Sequence, residues 1–248
     1  MSSNVNIHNY DFAVKFWGDL ACFTRPEFKV ERVTYPIMTP SAARGALEAI
    51  FWKPEIRWEI REIWVLNKIK EISIMRNELN DKQSPQINTF IIDDEKRRAQ
   101  RTSLFLKNPS YLVFADIRIK QSSKTNKKGY IKQIERRLEK GRCFQRPYLG
   151  TRECMAYFKK ADEKDINELK DINIEVGSMH FDTAFCQVGS NSKNDDSIQF
   201  IRHRGEKERN VVWGIPKHIF FKGNIENGRL IIPREMYDEL YRLEGFDA

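Results

Sequence analysis

Two stretches of helical spacing set among runs of strict alternation most constrain the fold of this chain. From Tyr10 to Thr24 apolar and polar residues alternate, with Phe12, Val14 and Phe16 against Asp11 and Lys15, as in a half-buried strand. Thr39 before Pro40 is a helix start, a capping hydroxyl followed by a residue whose fixed φ suits the first turn. The helix runs to Trp52 and stops at Lys53-Pro54, with Ala43, Leu47 and Ile50 on its apolar face. Ile56 to Leu66 and Glu71 to Glu78 alternate again and read as paired strands, and Tyr111 to Lys120 is a further strand. Tyr130 to Lys140 places Ile131, Ile134 and Leu138 at helical spacing and ends at Gly141. This order predicts an α+β fold built on a split βαβ unit with an embellished hairpin, the ferredoxin-like plan that RNA-recognition motifs share.

Beyond Asp165 the pattern changes to short β-like runs, 172–176, 179–187, 197–203 and 211–222, punctuated by Gly, Asn and Ser, with a closing helix over Pro233 to Leu243. The reading is therefore a ferredoxin-like domain over 1–165 and a small antiparallel β domain over 166–248. Leu79 to Gln100 and Gln121 to Gly129 are polar and read as loops. Residues 80–96 suit a lid, a partner surface or an insertion, and Ile87, Phe90, Ile91 and Ile92 suit a partner contact or a short buried strand.

Charge narrows the class of partner. Forty-three Lys and Arg face thirty-five Asp and Glu, a formal net charge of +8, and the excess is concentrated between Lys96 and Lys160. Polyanions are the expected partners. The stretch from Gly141 to Phe158 interleaves Arg142, Arg146 and Arg152 with Phe144, Tyr148, Tyr157 and Phe158. Such a mixture neutralises phosphates and offers flat faces to unpaired bases, although a plain strand with a solvated face has the same composition. No apolar run has the length of a bilayer span and the amino terminus lacks a signal-peptide pattern, so a cytoplasmic setting is expected. Cysteines 22, 143, 154 and 186 form no CxxC pair and read as free thiols; histidines 8, 180, 203 and 218 show no metal-ligand spacing, and no metal or other cofactor is expected.

Several blocks together resemble one family. Thr39-Pro-Ser-Ala-Ala-Arg-Gly-Ala-Leu-Glu-Ala-Ile-Phe-Trp-Lys-Pro54, Met75 to Glu78, Gln100 to Thr102, Glu135 to Gly141 and Tyr148 to Glu153 are similar, in order and spacing, to the type I-C (Dvulg) branch of the fifth CRISPR-associated protein family. The resemblance implies a RAMP-type protein with a ferredoxin-like amino-terminal domain and a small β carboxy-terminal domain. It further implies an endoribonuclease that cuts the repeat hairpin of precursor CRISPR RNA and retains the 5′ handle beside the other subunits of a surveillance complex. RNA supplies its own nucleophile in the 2′-hydroxyl, so such a cut needs orientation, proton removal and charge stabilisation but no metal.

The resemblance places a tyrosine near the end of the first helix and a Lys-His pair at the start of the second. Here those positions hold Phe51 and either Gly129-Tyr130 or, one residue earlier, Lys128-Gly129. Either the site is rebuilt, with Tyr130, Lys128 and Lys127 as catalytic candidates, or the protein holds RNA without cutting it efficiently. A general basic nucleic-acid binder or DNA nuclease is the third reading. Arg136, Arg137, Arg142, Arg146, Tyr148, Arg152 and His203 are the RNA-binding candidates. Tyr130 equally suits packing on Ile134, Lys127 and Lys128 suit solvated charges, and Trp52 suits the core.

Overall fold

The computed structural model describes residues 9–28, 30–79, 98–121, 123–188, 197–204 and 208–245, with backbone alone at 201–204 and 208–210. In chain order these residues form β1 (Phe12–Trp17), β2 (Leu20–Ala21), α1 (Pro40–Ile50), β3 (Ile56–Val65), β4 (Glu71–Leu79), β5 (Arg98–Lys107), β6 (Ser110–Ile119), α2 (Lys127–Glu139), β7 (Tyr157–Lys160), α3 (Glu163–Ile166), β8 (Ile174–Gln187), β9 (Ile198–Arg204), β10 (Glu208–Glu226), β11 (Arg229–Ile231) and α4 (Glu235–Glu244).

β7, β1, β6 and β3 lie side by side, all antiparallel, with α1 connecting β1 to β3 and α2 connecting β6 to β7. That is the strand order of the expected βαββαβ unit. The sheet does not end there. β11 pairs with β3, setting Leu230 opposite Ile63, and leads on to β10 and β8, with β9 also on β10. The carboxy-terminal strands are antiparallel, as expected, and they extend the same sheet. A second sheet of three strands runs β2-β5-β4.

Phe12, Val14 and Phe16 of β1 are buried together with Leu47 and Ile50 of α1 and Tyr130, Ile134 and Leu138 of α2. Burial of such a stripe, at about 25 cal/mol per Å² of apolar area, holds helices to a sheet far more strongly than helix propensity does. The reverse face is dry over a smaller patch where Ala13, Trp64, Leu112 and Phe114 meet Ile166 and Leu169. α4 packs with two tyrosines inward. The β3–β6 register shifts between Ile60 and Glu62, and there the Tyr237 hydroxyl accepts from the Ile60 amide at 2.5 Å and donates to its carbonyl at 3.1 Å. Tyr241 donates to Glu59 at 2.8 Å. No described helix is long and apolar enough to cross a membrane.

Local signals place α1 well. The Thr39 hydroxyl accepts from the Ala42 amide at 3.2 Å, Pro40 opens the helix, and Phe51 is already extended. α2 begins three residues earlier than expected, because the Asn126 side chain accepts from the Gly129 amide at 2.9 Å and caps the helix ahead of Lys127. Gly141 ends it at φ 59°, a left-handed conformation natural to glycine. β3 and β4 are not partners. β4 pairs with β5 and β3 with β6, so β4 and β5 form an inserted hairpin between the second and third strands of the βαββαβ unit. The expected loop over 79–100 is corrected at both ends: Leu79 closes β4 and Arg98 to Gln100 open β5, while the lid, partner surface or insertion expected over 80–96 lies outside the described residues. The two runs expected over 172–176 and 179–187 are one strand, bent at Gly177, where φ is 78° and the register with β10 shifts.

Candidate nucleic-acid interface

The carboxy-terminal end of α1 leaves carbonyls without intrahelical partners. Ala49 O accepts from the Phe144 amide at 2.8 Å and the Gln145 amide at 3.1 Å, and Ile50 O accepts from Arg137 Nη1 at 2.9 Å. The Arg137 guanidinium also lies 5.4 Å from the Phe51 ring centre. A cation at the negative end of a helix is favourable by about 0.3–1 kcal/mol. Arg137 therefore clamps α2 to the end of α1, and the Phe144 and Gln145 amides pin the segment that follows α2.

The clamp fixes what faces outward. Arg136, Lys140 and Arg142 line a shallow basic cup with Gly141 and Cys143. Phe144 stands beside it at 81% exposure, an aromatic face open to solvent. Arg146 reaches to 2.9 Å from Met155 Sδ, Tyr148 is exposed where it bridges to Met155, and Arg152 is exposed. Arg136 and Arg142 thus lie together beside Phe144, and Arg146 is exposed two residues further on. His203 is set apart from them in β9, opposite Arg209 of β10.

Three of the sequence blocks that carry the family resemblance converge at the next turn. Gly150 has φ 87°, and a Cβ there would stand 2.0 Å from Cys22 O, so the turn closes against β2 only with glycine. It sends Glu153 to Arg76 at 2.6 Å and Arg32 at 3.8 Å, while Arg101 lies 3.9 Å from Glu78. Burial alone would raise the Glu153 carboxyl, but hydrogen bonding, including that from Arg76, and the charges of Arg76 and Arg32 hold it below its ordinary value.

The catalytic candidates fall differently. Phe51 and the start of α2 do meet, through an edge-to-face contact of Phe51 and Tyr130 at 6.3 Å. Tyr130 is 3% exposed and its hydroxyl lies 3.2 Å from Ser123 Oγ, inside the seam between the helices. Lys127 pairs with Asp11 at 2.6 Å, and Lys128 is exposed in the first turn of α2.

Sequence reasoning missed two features nearby. Trp52, read as core, is 40% exposed and lines a cleft with Arg44, Lys53, Thr183 and Phe185. At the cleft's edge runs a chain of polar side chains: Ser41 Oγ to His180 Nδ1 at 3.2 Å, His180 Nε2 to Thr183 Oγ1 at 3.2 Å, and Thr183 Oγ1 to His218 Nδ1 at 2.9 Å. Burial first of all, with the nearby charges of His218 and Arg44, lowers the His180 pKa against the opposing pull of Asp182. Among the described residues no three His, Cys, Asp or Glu side chains are gathered so as to hold a metal ion.

Known proteins resemble this chain over most of its length. The family described as CRISPR-associated protein (Cas_Cas5) matches residues 12–229. A Thermus thermophilus protein named CRISPR pre-crRNA endoribonuclease Cas5d is 46% identical over 93% of this chain and 95% of its own length. A Mannheimia succiniciproducens protein of the same name is 39% identical over 75% of this chain and 87% of its own. Among solved structures, a functionally uncharacterized Streptococcus mutans protein covers 90% of this chain, and 92% of its own chain is covered, at TM-score 0.57 and 20% identity. One titled as a CRISPR-associated protein matches at TM-score 0.57 and 19% identity, over 90% of this chain and 91% of its own.

Proposed function

The chain belongs to the CRISPR-associated Cas5 family, and on that premise we propose that it cuts the repeat hairpin of precursor CRISPR RNA by 2′-hydroxyl attack, without a metal, and keeps the 5′ handle as a subunit of a type I-C surveillance complex. The partners on this reading are the RNA and the other subunits, and the setting is the cytoplasm. The observation that carries it, beside the relatives' names, is the arginine and aromatic surface from Arg136 to Arg146 clamped onto the end of α1. Guanidinium groups there suit phosphates and the Phe144 face suits a splayed base, a combination typical of RNA readers. Of the catalytic candidates, Lys128 keeps its ammonium available to a phosphate, Lys127 is engaged by Asp11, and Tyr130 serves the packing of the two helices.

One observation favours a second reading, a handle-binding subunit that does not cut. The positions where the family resemblance places a tyrosine and a histidine hold Phe51 and, in one register, Tyr130, and both are buried. The end groups of the product separate the two. Incubation of the protein with its repeat RNA in EDTA should give a 5′-hydroxyl fragment and a cyclic phosphate end. Intact RNA in a stable complex would favour the second reading, and 5′-phosphate products would overturn the proposed chemistry.

A further inference from the structure

The endoribonuclease reading leaves one requirement unmet. The 2′-hydroxyl proton must pass to a base, and lysyl and tyrosyl groups ordinarily hold their own protons at neutral pH whereas imidazole does not. The geometry points to His218 as that base, acting from beside Thr183 on a nucleotide held in the cleft between α1 and β8; this rests on the endoribonuclease reading.

The cleft is well placed for RNA. Its first wall, Trp52 and Lys53, follows directly on Phe51, at the same end of α1 that holds Arg137, Phe144 and Gln145. Its second wall carries Thr183 and Phe185. Trp52 and Phe185 are 40% and 37% exposed, which gives an unpaired base two aromatic faces to stack on. A strand tracked along Arg142 and Arg146 needs only to pass the end of α1 to enter.

The hydrogen-bond chain can run in two directions, and one of them gives His218 the form a base requires. His180 is kept neutral by its burial, so one of its ring nitrogens accepts and the other donates. With Nε2 accepting from the Thr183 hydroxyl and Nδ1 donating to Ser41, the Thr183 oxygen is left to accept from His218 Nδ1–H. His218 Nε2, with no hydrogen-bond partner among the described residues, then carries the lone pair. The groups around this imidazole are His180, with ring centres 5.6 Å apart, and Thr183, while Phe220 packs on His180 at 5.5 Å; the Arg44–Asp182 pair lies behind them and Lys217 is next to it in β10. In the step, the 2′-oxygen bonds to phosphorus as its proton passes to His218 Nε2. The P–O5′ bond breaks, and the departing oxygen takes a proton from water, leaving a 2′,3′-cyclic phosphate and a 5′-hydroxyl.

The test is single-turnover cleavage of repeat RNA in EDTA by the parent protein, His218→Ala, His218→Gln and Thr183→Val, with RNA affinity measured in parallel. His218→Ala and His218→Gln should slow cleavage roughly 10²- to 10⁴-fold with affinity within about twofold, a contact-neutral range. Added imidazole should restore part of the His218→Ala rate. Thr183→Val, which removes the orienting hydroxyl, should lower the cleavage rate more than it lowers RNA affinity. Parent-like rates in the His218 variants would overturn the assignment while leaving the endoribonuclease reading intact. A parent protein that binds the repeat and leaves it whole would overturn both.

Discussion

Asp182→Ala should destabilise the protein by several degrees. Asp182 accepts from Arg44 Nε at 2.6 Å and Nη2 at 2.8 Å, and from the Thr183 amide at 2.8 Å. Its side chain is 7% exposed, and the pair ties α1 of the βαββαβ unit to β8 of the carboxy-terminal strands. Removing one partner of a buried ion pair typically costs about 3–5 kcal/mol, because the remaining charge stays buried. Arg44 keeps Glu48 at 2.9 Å and a side chain 25% exposed, which moves the expected cost below that range, to about 2–3 kcal/mol. For a chain of this size each kcal/mol shifts the midpoint by about 2–4 °C, so thermal unfolding followed by circular dichroism should show a drop of about 4–12 °C. Replacing both charges, Arg44→Met with Asp182→Leu, should cost less than Asp182→Ala alone. A drop under about 1 °C for the single substitution, or a larger loss in the double variant, would refute the reasoning.

Gly150→Ala should destabilise strongly and give poor yields of folded protein, since its Cβ would stand 2.0 Å from a backbone carbonyl at a φ of 87°; near-parent thermal stability would contradict this. Asp165 is buried, which alone would raise its carboxyl, but hydrogen bonds from Lys15, the Asp162 amide and Lys159 outweigh that and hold it below its ordinary 3.8. A lowered carboxyl stabilises above its unfolded value and loses that contribution as pH falls below it. The midpoint of the parent should therefore fall more steeply below about pH 4 than that of Asp165→Asn, which should already be less stable at pH 7. Arg142→Ala should weaken RNA binding across sequences and reduce the slope of log affinity against log salt by about 1, whereas an unchanged slope would remove Arg142 from the phosphate contacts.

Much of the fold is written locally. Thr39 and Pro40 announce α1, Gly141 ends α2, and the alternation of β1 and β6 marks the centre of the sheet, so the order of elements predicts the βαββαβ unit. β5 escaped because Arg98, Gln100 and Thr102 on its exposed face oppose Ala99, Arg101 and Ser103, and its run of large apolar residues arrives only at Leu104. The pairing of β3 with β4 failed for a related reason: neighbours in sequence pair most often, and nothing local says that β4 and its missed partner form their own insertion. The RNA-binding candidates near α2 were legible as composition, but Arg137 turned out to serve α1. Tyr130 was legible both as a core and as a catalytic residue, and only the Phe51 contact shows it in the seam. The histidine chain had no signal at all, because it joins residues across β8 and β10 and depends on the irregular register between Ile219 and Phe220.

The central claim is that RNA's own 2′-hydroxyl does the cutting on this surface. Its most direct test sets the protein, in EDTA, against the repeat RNA and against the same RNA with one 2′-deoxy substitution at the scissile nucleotide. The account predicts equal binding, a single cut in the unmodified strand and none in the substituted one. Cleavage of both strands, or of neither while both remain bound, would contradict it.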